Sequence, residues 1–222
     1  MRAVLVALAL AAPLPAAACA VELVLALDVS RSVDSREYRF QIEGLAEALR
    51  DEAVVQAITT LPEGVMATVT QWSGPLSQDQ SVGWHHLTQA AAVADFADEV
   101  QAMERRYYAS YTAIGEALAH AGAVARTNPR VCARRVIDVS GDGVNNRGRP
   151  PGPLADALVD EGFTINALVI RWGQRRDRAA YFRRHVARGP GSFVEIADGF
   201  EDYERAMKRK LLRELGFQMV RR

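Results

Sequence analysis

The run Asp28-Val29-Ser30-Arg31-Ser32 sets a carboxylate and two hydroxyls at alternate positions, directly after the apolar stretch Val21 to Leu27. Carboxylate and hydroxyl oxygens are hard ligands, suited to Mg²⁺, Mn²⁺ or Ca²⁺ rather than to zinc or copper. If the apolar stretch is a buried strand, these side chains emerge where it surfaces and form half of a cation site. A second carboxylate, Asp142, stands in Gly141-Asp142-Gly143, after the short strand-like run Arg135 to Ser140. Each feature also has a plain reading. Ser32 and Asp34 can cap a following helix, and Asp142-Gly143 can be an ordinary turn.

The elements around these residues predict an alternation of strands and helices. Asp34 with Glu37 reads as a capping box that opens a helix running to about residue 51. Residues 64–72 and 80–86 are β-rich and separated by Ser73-Gly74-Pro75, which predicts consecutive strands joined by a turn. Helices follow over 88–103 and 112–126, then a strand over 135–140, a helix over 152–161, a strand over 163–170, a helix over 178–187, a strand over 192–196 and a closing helix over 200–215. This order implies an α/β fold: a doubly wound, mainly parallel sheet flanked by helices on both faces, with one antiparallel edge strand. Such sheets bind ligands at the carboxyl ends of their strands, where Asp28 and Asp142 both fall.

With 222 residues and 49% hydrophobic content, the chain can bury one substantial core. Its start, an apolar run from Ala3 to Leu14 followed by Pro15-Ala16-Ala17-Ala18, reads as a secretory signal over residues 1–18, with cleavage as late as residue 20 and a single domain over 19–222. No later segment approaches the about 18 apolar residues a membrane span needs. The expected location is therefore periplasmic or extracellular. Two cysteines are present, Cys19 and Cys132. Lipidation of Cys19 is one reading, although Ala16 stands where lipoprotein signals usually carry Leu. The other is a disulfide, since an even count in an oxidising compartment favours pairing. Were Asp28 and Asp142 to end neighbouring parallel strands, both cysteines would lie side by side at the opposite edge. The 27 basic and 27 acidic residues balance, which gives no reason to expect a nucleic-acid partner.

The D-x-S-x-S run after the first strand, a Thr before a middle helix and Gly-Asp-Gly after the next strand together resemble the von Willebrand factor type A domain. Val136 to Gly143 and Gly189 to Phe193 are similar to a bacterial secreted branch known only as a domain of unknown function. The resemblance implies a metal-ion-dependent adhesion site (MIDAS) made of Asp28, Ser30, Ser32, Thr112 and Asp142, holding a divalent cation, Mg²⁺ foremost. Ser30 and Ser32 would coordinate directly, Asp28 and Asp142 through water, and Thr112 in either way. The sequence departs from the family where Ser110-Tyr111-Thr112 replaces Gly-Gly-Thr. Thr112 can equally be the N-cap of its own helix.

Around this site, Tyr111, Asn145, Arg147 and Arg171 form a possible ligand rim, and Asn145-Asn146 can either contact a ligand or shape the turn. Seven arginines between Arg171 and Arg188 (Arg171, Arg175, Arg176, Arg178, Arg183, Arg184 and Arg188) form either a positive rim that attracts an anionic partner or a solvated helix face. His85 and His86 would point to opposite faces of a strand and share no metal. Trp72 and Trp84 read as sheet packing. No nucleophile elbow, zinc-protease or phosphate-loop motif is present. The expected function is an exported, non-enzymatic binding module that captures the acidic group of a protein or peptide partner. The alternatives are a metal-dependent hydrolase of an anionic ester and a structural envelope protein whose cation only stabilises loops.

Overall fold

The computed structural model describes residues 18–108, 111–171 and 177–216, so the expected signal segment, Ser110, Arg175 and Arg176 lie outside the described residues. Six strands form one sheet: β1 Cys19–Asp28, β2 Val65–Trp72, β3 Gln78–Leu87, β4 Cys132–Gly141, β5 Phe163–Ile170 and β6 Val194–Ala197. Their order is β3-β2-β1-β4-β5-β6. All neighbours are parallel except β2 and β3, the antiparallel edge pair anticipated from the Ser73-Gly74-Pro75 turn. The helices are α1 Ser35–Arg50, α2 Glu52–Thr59, α3 Ala90–Gln101, α4 Ile114–Ala125, α5 Pro151–Asp160, α6 Asp177–His185 and α7 Tyr203–Glu214.

Alternation along the strands divides the core into two layers. Leu23, Leu25 and Leu27 of β1 pack with α1, α3 and α7 on one face, while Val24 and Ala26 pack with α4 and α5 on the other. A strand apolar on both sides must lie inside the sheet, and β1 lies between β2 and β4. Asp34 caps α1 through the anticipated box: its Oδ1 accepts from the Arg36 and Glu37 amides at 2.7 and 2.8 Å, and Glu37 Oε2 accepts from the Asp34 amide at 2.7 Å. Asp51 ends that helix with non-helical backbone and caps a further one, α2, which the composition of 52–59 did not announce. The strand read as 135–140 extends back to Cys132 because main-chain pairing with β1 carries it through Arg134, a polar residue that hid the extension.

Cys19 stands opposite Cys132 in the β1–β4 register, with Cα atoms 4.5 Å apart, and the two form a disulfide. The register places the bridge at the amino edge of the sheet and Asp28 at the carboxyl edge. A sulfur committed to this bond is not available for lipidation. No helix among the described residues is long and apolar enough to cross a membrane.

Candidate metal centre

Three segments converge at the carboxyl edge: the β1–α1 loop, the segment leading into α4, and the β4–α5 loop. Thr112 Oγ1 lies 3.4 Å from Ser30 Oγ, Ser30 Oγ lies 3.2 Å from Ser32 Oγ, and Ser32 Oγ donates to Asp142 Oδ1 at 2.6 Å. Asp28 braces the first loop by accepting the Ser30 amide at 2.8 Å through Oδ1. All five residues singled out in the sequence thus meet at one point. Thr112 does not cap α4, whose N-cap is Ala113 with no side-chain cap bond. Ser32 takes no part in the cap of α1, which Asp34 supplies.

Gly141 gives the Asp28 carboxylate room, whereas a side chain at Gly143 would make only ordinary contact. A Cβ at Gly141 would stand 3.1 Å from Asp28 Oδ2 and 3.4 Å from the Trp72 ring, and one at Gly143 would stand 3.4 Å from Thr112 Oγ1. At 3.1 Å, tighter than ordinary van der Waals contact, a side chain at position 141 would press on the carboxylate of Asp28.

The electrostatics fit a cation. Asp28 is fully buried, and its Oδ2 has no hydrogen-bond partner among the described residues. Burial, reinforced by the charge of Asp142, pushes the Asp28 carboxyl up to about 7. Among the described residues no three His, Cys, Asp or Glu side chains converge in a way that could hold a metal. A cation here would be held mainly by Ser30, Ser32 and Thr112, with Asp28 and Asp142 supplying charge. Neutral hydroxyl ligands leave a divalent ion electrophilic toward a further oxygen donor.

Residues that gave no signal in the sequence hold the loops. Arg105 Nη2 donates to the Val29 and Ser30 carbonyls at 2.9 and 3.0 Å, and Gln41 Nε2 donates to the Asp28 carbonyl at 3.1 Å. Gln71 fixes the chain on both sides of Arg105, donating to the Glu104 carbonyl at 2.8 Å and accepting from the Arg106 amide at 3.1 Å. Asn146 clamps the middle segment: its Oδ1 accepts the Thr112 amide and its own amide donates to the Thr112 carbonyl, both at 2.9 Å. Asn145 accepts from the Gly115 amide at 3.4 Å and donates to the Arg149 carbonyl at 3.3 Å. Both asparagines therefore shape the turn.

At the rim, Tyr111 is 52% exposed and carries the Arg147 guanidinium 4.4 Å from its ring centre. Arg171 is turned to Asp198 beyond β6, where its Nε donates at 3.0 Å. Arg188 pairs with Asp156 at 3.0 Å. Of the described arginines in the 171–188 group, Arg178 is the one recorded at the cluster, 3.9 Å from Asp142 Oδ2. His85 faces Glu99 at 3.2 Å while His86 contacts the Glu63 carbonyl at 2.8 Å, so the two rings diverge as expected.

A six-stranded sheet of this order, flanked by helices on both faces, is the von Willebrand factor type A fold. Solved structures of that fold superpose on the chain with low sequence identity. Proximal thread matrix protein 1 from the mussel byssus, solved with a zinc-occupied MIDAS motif, has a TM-score of 0.64 at 18% identity, covering 88% of this chain and 46% of that one. The vWF domain of the type V pili tip protein Mfa5 from Porphyromonas gingivalis has a TM-score of 0.61 at 10% identity, covering 91% and 97%. Manganese-loaded Plasmodium vivax TRAP protein has a TM-score of 0.56 at 15% identity, covering 90% and 74%. The chain spans about half the length of the mussel protein. No curated protein matches the sequence. Residues 18–219 match the family described as "Protein of unknown function (DUF1194)", and the chain belongs to that family.

Proposed function

We propose that this protein is a metal-dependent binding module acting outside the cytoplasm. It captures an acidic group of a partner protein or peptide through a divalent cation, Mg²⁺ foremost, at Asp28, Ser30, Ser32, Thr112 and Asp142. The observation that carries this reading is the meeting of three hydroxyls and two carboxylates from three separate segments, with the buried Asp28 Oδ2 left without a hydrogen bond. A buried carboxylate oxygen in that position is costly unless a proton or a cation compensates it. The cation would supply Lewis acidity toward an incoming carboxylate, while Gln41, Arg105 and Asn146 keep the loops in place.

Two further facts support the reading. Solved proteins of this fold include a pilus tip domain, one with a zinc-occupied MIDAS motif and one loaded with manganese. The Cys19–Cys132 disulfide suits an oxidising compartment outside the cytoplasm.

The test is affinity capture from envelope extract with the wild-type protein and Ser30→Ala, each in Mg²⁺ and in EDTA. Capture of a partner by wild type in Mg²⁺, and in neither other condition, is the expected result. Equal retention in EDTA and by Ser30→Ala would sink the proposal.

A further inference from the structure

We infer that Arg178 is a second anion-holding group of this centre, donating to the partner's acidic group beside the cation. This inference rests on the metal-dependent reading above.

Arg178 lies in the first turn of α6, and its side chain is only 12% exposed. Among the described residues its Nη1 is buried without a hydrogen-bond partner, and the carboxylate oxygen facing it, Asp142 Oδ2, is 3.9 Å away, beyond hydrogen-bonding reach. A buried guanidinium N–H without an acceptor is a cost that an arriving anion can remove. Asp142 is already engaged through its other oxygen, which accepts from Ser32 Oγ at 2.6 Å.

Three other arginines of this edge are occupied, whereas Arg31, in the loop between Ser30 and Ser32, is exposed. Arg105 gives its Nε to the Tyr107 carbonyl and its Nη2 to the Val29 and Ser30 carbonyls. Arg147 lies against the Tyr111 ring and Arg171 faces Asp198. Arg178 is therefore placed to interact with what binds, whereas Arg105 only shapes the loop.

Charge points the same way. Asp28 and Asp142 together match a divalent cation, and Arg178 adds a positive charge next to Asp142. A planar guanidinium beside a Lewis-acidic ion suits a planar acid with two oxygens, which places the ligand class as carboxylate.

The test uses Mn²⁺ alone and then acetate as the probe, followed by water-proton relaxation, on wild type, Arg178→Ala and Arg178→Lys. Arg178→Ala is expected to keep or tighten Mn²⁺ binding, since a neighbouring positive charge is gone. Its affinity for acetate on the Mn²⁺ form should fall about tenfold or more, the loss of one charge-assisted hydrogen bond, with Arg178→Lys in between. Unchanged acetate affinity in both Mn²⁺-loaded variants overturns the inference and leaves the metal reading standing. Weakened Mn²⁺ binding in both variants overturns it as well, by showing that Arg178 only holds Asp142. Failure of wild type to bind Mn²⁺ overturns the metal reading and this inference together.

Discussion

Two groups of buried carboxylates lie along β4 and its neighbours, and they are neutralised in opposite ways. In the layer beneath α7, Lys210 is fully buried between Asp138 and Glu214, 2.5 Å from an oxygen of each. Asn166 of β5 donates to Glu214 at 3.0 Å and accepts the Phe193 amide at 3.1 Å. At the carboxyl edge, by contrast, Asp28 and Asp142 have hydroxyls between them, and among the described residues no lysine or arginine forms an ion pair with Asp28. Where water cannot enter, the chain carries its own cation. At the edge Asp28 is as deeply buried but has no such partner among the described residues, and Arg178 stands 3.9 Å from Asp142; on the proposed function an ion from outside completes the neutralisation. The inner group ties α7 to the sheet.

The sharpest way to break this contrast is Lys210→Met, which removes the internal cation and leaves Asp138 and Glu214 facing each other. Urea unfolding at neutral pH is expected to show a loss of about 4 kcal/mol, the usual cost of stripping one partner from a buried pair. A loss under about 1 kcal/mol, the level of a surface ion pair, would mean that the inner group is not a charged lock. Cys132→Ser, at the far edge of the sheet, is expected to cost about 3–4 kcal/mol because the bridge closes a long loop. It should leave the response to Mg²⁺ unchanged, and a lost response would couple the two edges.

Mg²⁺ at a hundred times its dissociation constant should stabilise wild type by about 2.7 kcal/mol, a rise in Tm of roughly 5–10 °C. Ser30→Ala should show no rise. A rise that persists in this variant would place the ion elsewhere.

The smallest effect concerns pH. Burial, opposed by Lys210 and assisted by Glu214, pushes the Asp138 carboxyl up to about 7 from an ordinary value of 3.8. A folded pKa above the unfolded one means that this group's contribution is present below pH 4 and lost as pH rises through 7. Stability of the metal-free protein should therefore decline between these limits. Asp138→Asn should make that decline shallower, measured as urea midpoints across the range. An unchanged slope would show that Lys210 keeps Asp138 ionised throughout.

The outer group was the legible one. Asp28, Ser30 and Ser32 are adjacent in the chain, and Asp142 sits between glycines at a strand end, so local spacing alone marked them. Thr112 needed the family resemblance, because a lone threonine before a helix also reads as a cap. The inner group left no such trace. Lys210 lies in the basic stretch Met207-Lys208-Arg209-Lys210, where it looks like one more solvated lysine, and Asp138 is a single acid in an apolar strand. Arg105 and Gln41 were equally silent, since their partners are main-chain carbonyls of distant residues.

By itself, the sequence determined the strand and helix alternation, the cysteine pair and the oxygen side chains of Asp28, Ser30, Ser32 and Asp142 at the carboxyl edge. These follow from periodicities of two and 3.6 residues and from side-chain chemistry that a short window contains. Only the tertiary structure decided that Thr112 reaches Ser30, that Arg178 stands beside Asp142 while Arg171 turns away to Asp198, and that α7 brings Lys210 under Asp138. Such pairings depend on how distant elements are registered against one another, information held by the packing of the whole core and by no single stretch of chain.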